Sequence, residues 1–188
     1  LKPSLGELAT DGVVPLSATM DHIGPICRSV EDAEIVYDVL RGQAEDTTAA
    51  PVDLRRLTLG IPREFFLTRL DPQVALAFEQ ACRRLREAGV TLEDVRLPHA
   101  GDVATIYLHI VLAEAAAFHA RTLERQPDDY TPNVRLRLEM GRYLLAEDYA
   151  RALRGREVLT REVDALLDEL DGLFLPAMAI PAPPLGAV

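Results

Sequence analysis

The chain offers few side chains that could act as a nucleophile. Serine occurs at three positions, Ser4, Ser17 and Ser29. A serine hydrolase needs its nucleophile beside a base and near oxyanion donors, usually on a tight turn flanked by glycines, and none of the three lies in a Gly-x-Ser-x-Gly setting. Ser29 stands three residues before Asp32, which is the pattern of a helix-capping residue. We therefore expect no catalytic residue within positions 1–188.

The two cysteines, Cys27 and Cys82, lie far apart in the sequence. Their spacing argues against a disulfide framework and against a zinc site. Cys82 falls on the apolar stripe of a predicted helix, so we interpret it as a core thiol. We also interpret Cys27 as a packed residue, although its neighbour Arg28 could lower its pKa.

The histidines give no sign of a metal centre. His109 and His119 lie ten residues apart with Glu114 between them, a spacing that does not place them on one helix face as in a His-Glu-x-x-His site. His22 follows Asp21 in a glycine-rich opening, where a lone histidine is more often a hydrogen-bonding group than a catalyst. The sequence contains neither a Walker-type loop nor a Gly-x-Gly-x-x-Gly turn. We expect no metal and no cofactor.

The charge balance limits the classes of partner. The formal net charge is −10 and the pI is about 4.9, so phosphate backbones and anionic membrane surfaces would be repelled. No basic stretch precedes an apolar run at the start, and no apolar segment approaches the roughly 20 residues that span a bilayer. We expect a cytoplasmic protein with no nucleic-acid partner and no membrane association.

The elements that must position these residues are those of an α/β protein. A strand over 57–61, a helix from Asp71 to Gly89 and a strand over 90–98 form a βαβ unit, which closes onto a parallel sheet. A helix is also predicted between Ser29 and Gly42, after an opening that is mostly loop.

The rest of the chain is predicted to be mainly helical. An alanine-rich, buried helix follows Asp102, and one long helix, or two that meet near Gly155, occupies 133–170. A short strand over 172–176 ends in a proline-rich passage. The stretch 43–54 has no periodicity, so we predict a surface linker there.

The opening segment, LKPSLGELATDGVVPLSATMDHIGPICRSVEDAEIVYDVLRG, resembles the stretch that follows the nucleophile loop in amidase-signature hydrolases. This family includes general amidases, allophanate hydrolase and the glutaminase subunit of tRNA-dependent amidotransferases. The features LKPS, GVVPL, Asp21 three residues before Gly24, and SVEDA agree in order. LGIPREF, HIVLAEAAAFHARTL, DDYTP and DGLFLPAMAIPAPPLG look like later landmarks of the family. The resemblance covers essentially the whole chain and implies the mixed-sheet amidase-signature fold with flanking helices.

The resemblance also implies where the chemistry lies. Family members cleave carboxamides with a serine, a second serine on a cis peptide and a lysine, which we expect upstream of Leu1. The family domain also continues past PAPPLG, so we expect 1–188 to be a partial domain, cut on both sides and inactive alone. The intact parent would hydrolyse a carboxamide to an acid and ammonia or an amine through a serine acyl-enzyme, as a monomer or a homo-oligomer. The alternatives are a non-catalytic assembly module and a glutaminase subunit of a tRNA-dependent amidotransferase.

Three residues are site candidates by this resemblance. Tyr107 is similar in position to an aromatic residue that lines the acyl pocket, the alternative being packing on the alanine-rich helix. Asp21 and Gly24 would shape the loop against the active site without taking part in bond breaking. Glu7 stands where many members carry arginine and Ala177 where many carry threonine, which leaves the amide substrate open.

Overall fold

The computed structural model describes residues 1–42 and 52–186. The surface linker predicted over 43–54 lies mostly outside the described residues. At its end, Asp53 caps a short 3-10 helix, Leu54–Arg56. The longer elements are, in chain order, α1 (Val30–Leu40), β1 (Thr58–Pro62), α2 (Pro72–Glu87), β2 (Thr91–Val95), α3 (Val103–Arg125), α4 (Pro132–Gly141), α5 (Ala146–Leu167) and β3 (Gly172–Leu173).

The chain divides into two compact units. The first contains Leu1–Ala50 and Thr105–Leu153, and the second contains Pro51–Ala104 and Arg154–Val188. The assignment of positions 1–188 to one partial domain stays a prediction.

The second unit contains a parallel sheet with the strand order β2-β1-β3. The predicted βαβ unit is confirmed as β1, α2 and β2, and the α/β class with it. The Asp71 side chain accepts a hydrogen bond from the Gln73 N–H at 2.8 Å and so caps α2. Pro72 follows at the first helical position, where its missing N–H costs nothing.

Two of the three strands are shorter than the sequence predicted, whereas β1 keeps the predicted length and lies one residue later, at Thr58–Pro62. β2 ends at Val95 rather than at the end of 90–98, because its partner β1 ends at Pro62, the residue opposite Val95. β3 covers Gly172–Leu173 of the predicted 172–176. The end of β2 therefore coincides with the end of its partner, whereas β3 ends opposite Gly60 although β1 continues to Pro62.

The core of the second unit is formed by the sheet and α2. Cys82 has no exposed surface, which confirms its interpretation as a core thiol, and this burial raises the pKa of the thiol. The Phe78 and Phe174 rings stack at a centroid distance of 5.2 Å. The cluster consists of Ile61, Phe78 and Cys82, with Leu67, Leu92 and Phe174 packed against it.

The first unit opens with an irregular segment followed by α1. The absence of helix and strand from residues 1–28 agrees with the predicted loop. Ser29 caps α1 as predicted, because its side chain accepts a hydrogen bond from the Asp32 N–H at 3.0 Å. The helix ends at Leu40, before Gly42, whose φ of 72° is favourable for glycine.

The break predicted near Gly155 is elsewhere. α4 ends at Gly141 and α5 begins at Ala146, and α5 then continues through Gly155 without interruption. An interior glycine lowers helix propensity by about 1 kcal/mol but keeps its backbone hydrogen bonds, so it does not have to end a helix.

Helix α3 is partly buried in the first unit. Ala115 and Leu123 pack with Leu138 of α4 and with the partly buried Tyr130. Among the described residues, the segment Ala100–Arg125 is one helix long and apolar enough to cross a membrane, by length and composition alone. The expectation that no apolar segment approaches this length is therefore wrong. The finding is weak evidence for a membrane, because the core helix of a soluble protein passes the same test.

Candidate functional site

A cavity of about 360 Å³ opens in the first unit beside Tyr107. The Tyr107 side chain lies in its wall and is 49% exposed. The structure thus places Tyr107 where it could contact a ligand, and its role in substrate binding stays a prediction. The wall is formed by Leu16, by Tyr107, Leu108, Val111, Leu112 and Ala115 of α3, and by Asn133, Val134, Arg137 and Leu138 of α4.

Two polar side chains of α4 line this mainly apolar cavity. Asn133 and Arg137 are four residues apart and therefore share one face of the helix. Arg137 forms no ion pair within the described part of the chain, whereas Arg135 pairs with Asp128 and Glu139. Neither cavity residue was predicted from the sequence. Their spacing was a usable signal, but a guanidinium on an exposed helix is usually no more than a solvated charge.

Asp21 closes a turn over residues 16–21. Its carboxylate accepts hydrogen bonds from the backbone N–H groups of Leu16, at 2.8 Å, and of Ser17, at 3.0 Å. Its own N–H donates to the Ser17 carbonyl at 2.9 Å. Asp21 therefore shapes this loop locally, and the proximity of the loop to an active site stays a prediction.

Gly24 is required by a close approach of the backbone. A Cβ atom at this position would lie 2.2 Å from the Leu1 carbonyl oxygen. The Leu1 amino group also donates to the Pro25 carbonyl at 2.9 Å, so residues 1 and 24–25 are held together. Any side chain at Gly24 would push these two segments apart. Its predicted role beside an active site is not tested by this contact.

Glu114 of α3 gathers four hydrogen bonds in the first unit. Its Oε2 accepts from the Ser17 hydroxyl at 2.6 Å and from the Thr19 N–H at 3.0 Å. Its Oε1 accepts from the Thr19 hydroxyl at 2.7 Å and from the Tyr149 hydroxyl at 2.8 Å. Burial alone raises the pKa of Glu114, but these hydrogen bonds outweigh burial and hold the pKa below its usual range.

The three serines lie in different surroundings. Ser17 is 1% exposed and donates to Glu114, so a substrate cannot reach its hydroxyl. Ser29 caps α1. Ser4 lies in the exposed opening, where its N–H donates to the Glu7 carboxylate at 3.3 Å. The structure therefore gives Ser17 and Ser29 structural roles.

The histidines lie at separate places. In the first unit, Nδ1 of His22 is 2.6 Å from the Met20 carbonyl oxygen and Nδ1 of His109 is 2.8 Å from the Thr105 carbonyl oxygen. Nδ1 of His119 lies 2.9 Å from the Tyr130 hydroxyl. Across residues 1–42 and 52–186, no group of three or more His, Cys, Asp or Glu side chains could hold a metal ion.

Two features of the opening segment bear on the sequence predictions. Cys27 is exposed, so its interpretation as a packed residue is wrong. The reason is that it lies in a surface stretch next to Ile26, which is fully exposed.

Glu7 accepts a hydrogen bond from Tyr37 and pairs with Arg41 at 3.6 Å. An arginine at position 7, which the resemblance gives for many family members, would face the like charge of Arg41. Glutamate at position 7 instead pairs with Arg41.

The comparisons with known proteins agree with this architecture. The family model described as Amidase matches residues 1–188. An amidase of Pseudomonas putida is 33% identical over 193 residues, covering 96% of this chain and 41% of that protein. A glutamyl-tRNA(Gln) amidotransferase subunit of Chloroflexus aggregans is 32% identical over 221 residues, covering 99% of this chain and 45% of that protein.

A solved structure shows the same fold. A crystal structure of an amidase superposes with a TM-score of 0.89 at 36% identity, covering 98% of this chain and 42% of that one. The chain therefore spans less than half of the length of the relatives that it matches. The resemblance to amidase-signature hydrolases and the α/β fold of that family are confirmed. The chain belongs to the Amidase family.

Proposed function

We propose that the intact protein hydrolyses a carboxamide to an acid and ammonia or an amine, and that this chain forms one wall of the pocket for the acyl group. The observation that carries the proposal is the match of the whole chain to the Amidase family. The cavity beside Tyr107 supports it, because a mainly apolar hollow with a few polar groups is the usual form of a small-molecule site.

The cavity wall favours particular amides. Leu16, Leu108 and Val111 would contact an alkyl chain or ring by dispersion and by exclusion of water. Asn133 and Arg137 would face the polar end of the same molecule, and a guanidinium prefers a carboxylate. The pocket thus suits an amide of modest size whose acyl part is apolar near Tyr107 and polar beyond it.

The proposal assigns the acyl-enzyme step to a serine outside positions 1–188. The Ser17 hydroxyl is buried against Glu114, and Ser29 caps a helix. A nucleophile must be reachable by substrate and activated by a base. We accordingly propose that positions 1–188 bind and orient substrate but are inactive alone. We further propose a cytoplasmic location, which the two free cysteines support.

A second candidate is a glutaminase that works in an amidotransferase. Arg137 in the cavity favours it, because glutamine is an amide that carries a carboxylate. Relatives named as glutamyl-tRNA(Gln) amidotransferase subunits also match 99% of this chain. The first candidate predicts broad use of simple amides, whereas the second predicts preference for glutamine and co-purification with further subunits.

The test is ammonia release by the longest reading frame that contains residues 1–188. Acetamide, benzamide and glutamine are supplied in turn, with positions 1–188 alone as the control. The proposal expects turnover by the intact protein and none by the control. It fails if the intact protein releases ammonia from none of the three amides, and also if positions 1–188 alone turn over any of them. A folded intact protein that is inactive yet binds a partner protein would favour the assembly-module alternative.

A further inference from the structure

Glu114 stands out because a partly buried carboxylate is compensated by neutral donors. Its partners are two side-chain hydroxyls of the 16–21 turn, one backbone N–H of the same turn, and the Tyr149 hydroxyl of α5. No arginine or lysine of the described residues forms an ion pair with it. All four partners can donate to the carboxylate, and together they compensate its negative charge, although the three hydroxyls can also accept.

The 16–21 turn is held from two sides. Asp21 closes it internally through the Leu16 and Ser17 N–H groups. Glu114 fixes it externally through Ser17 and Thr19. Leu16, the first residue of this turn, lies in the wall of the cavity beside Tyr107.

We propose that Glu114 is a positioning residue for the cavity: its carboxylate holds the 16–21 turn, and through that turn holds Leu16 in the cavity wall beside Tyr107. The inference rests on the proposed function, since it assigns Glu114 a role in the cavity that is proposed to bind the acyl group of the substrate. Its physical content concerns the folded chain and can be measured without catalysis.

The chemistry of the network indicates which variants are informative. In Glu114→Gln the amide oxygen can take the place of Oε2, because the Thr19 N–H there can only donate. The NH₂ group then takes the place of Oε1 and faces the hydroxyls of Thr19 and Tyr149, which can accept as well as donate. The side chain stays similar in shape but loses its charge, so the hold on the turn is weakened rather than abolished. Ser17→Ala removes one of the four hydrogen bonds and leaves the carboxylate in place. Glu157→Gln, at an exposed position of α5, is the matched charge control.

The first measurement uses benzamide as the probe on the 188-residue chain and its variants. Binding is followed by the NMR signals of the Tyr107 ring. Loss of charge-assisted hydrogen bonds should weaken benzamide binding about tenfold in Glu114→Gln and about threefold in Ser17→Ala. Glu157→Gln should bind as the wild type does.

The second measurement is hydrogen exchange of the Leu16 and Ser17 amides, which donate to Asp21 and not to Glu114. The proposal expects both to exchange about tenfold faster in Glu114→Gln, with the β1 amides unchanged. A residue that contributed stability alone would lower the unfolding midpoint while leaving benzamide affinity and the relative exchange of Leu16 unaltered.

The proposal is overturned if folded Glu114→Gln keeps the wild-type affinity for benzamide, if Leu16 stays protected, or if the wild-type chain does not take the probe. Should Glu114→Gln fail to fold, Ser17→Ala decides by the same criteria. An intact protein that binds benzamide but hydrolyses no amide would refute the proposed function and leave this test standing.

Discussion

Replacing Gly141 by alanine tests the packing of α3 against α4. Gly141 is buried at the end of α4, and an added Cβ would lie 2.0 Å from the Leu112 carbonyl oxygen and 2.8 Å from the Ala116 Cβ. Non-bonded carbon atoms prefer separations of about 3.5–4.0 Å, so relief would require the two helices to part by more than about 1 Å. The obstacle is helix backbone, which cannot rotate away as a side chain can.

The two physical effects of this substitution have opposite signs. Alanine in place of glycine gains up to about 1 kcal/mol of helix propensity. Overpacking of a close contact costs about 1–3 kcal/mol, and a clash with backbone belongs at the upper end of that range. We therefore expect Gly141→Ala to lower the free energy of unfolding by about 2 kcal/mol.

Urea denaturation followed by far-UV circular dichroism measures this change. Gly101→Ala is the matched control, because a Cβ at Gly101 meets nothing within 4 Å, and it should change the free energy of unfolding by less than about 0.5 kcal/mol. An unchanged or higher urea midpoint for Gly141→Ala would mean that the gain in helix propensity exceeds the cost of overpacking. It would contradict the close approach of Gly141 to the backbone of α3. Because Leu112 also lines the cavity, the variant should bind benzamide more weakly as well.

Three further predictions concern charge. Arg137→Ala should lower the kcat/KM of the intact protein for glutamine about 10- to 100-fold, and its kcat/KM for benzamide less than about threefold. Arg121→Ala, at an exposed position of α3, is the control. Equal losses for both amides would contradict a contact between Arg137 and a substrate carboxylate. The pKa of Glu114 lies below its usual 4.5, so its stabilising effect is fully present above that value and is lost as the pH falls through the lower folded pKa. Urea midpoints between pH 7 and pH 3 should therefore fall less steeply in Glu114→Gln than in the wild type, and parallel profiles would refute this. The hydrogen bond to Glu162 raises the pKa of His99. The pair therefore stabilises the fold below about pH 6.5, and this stabilisation is lost as the pH rises through the pKa of His99 in the folded state. An NMR titration should show a lower pKa for His99 in Glu162→Gln than in the wild type.

The parts of the fold that local signals specify could be predicted from the sequence. Asp71 and Pro72 mark a helix start by themselves, because the cap and the ring act within one turn. Ser29 and Asp32 do the same for α1. The βαβ unit followed from these signals and from the right-handed crossover rule.

The features that depend on distant neighbours could not be predicted. The end of β2 at Val95 coincides with the end of its partner β1. The break between α4 and α5 lies after Gly141, which packs closely on Leu112, and not at Gly155. The partners of Glu114 lie 97, 95 and 35 residues away, and no spacing rule pairs them. The acidic residue in the apolar run VLAEAAAF was a signal that something must compensate it.

The long span of the Ser17–Glu114 contact has a consequence for the order of folding. Closing a loop of 97 residues costs about 4 kcal/mol in the length-dependent term of chain entropy, and no hydrogen bond in the 16–21 turn can repay that until α3 is in place. We therefore expect the turn to dock late, after the helices have met, and to detach early under denaturant. Leu16 would leave the cavity wall with it, so we expect the cavity beside Tyr107 to form late and to be lost early.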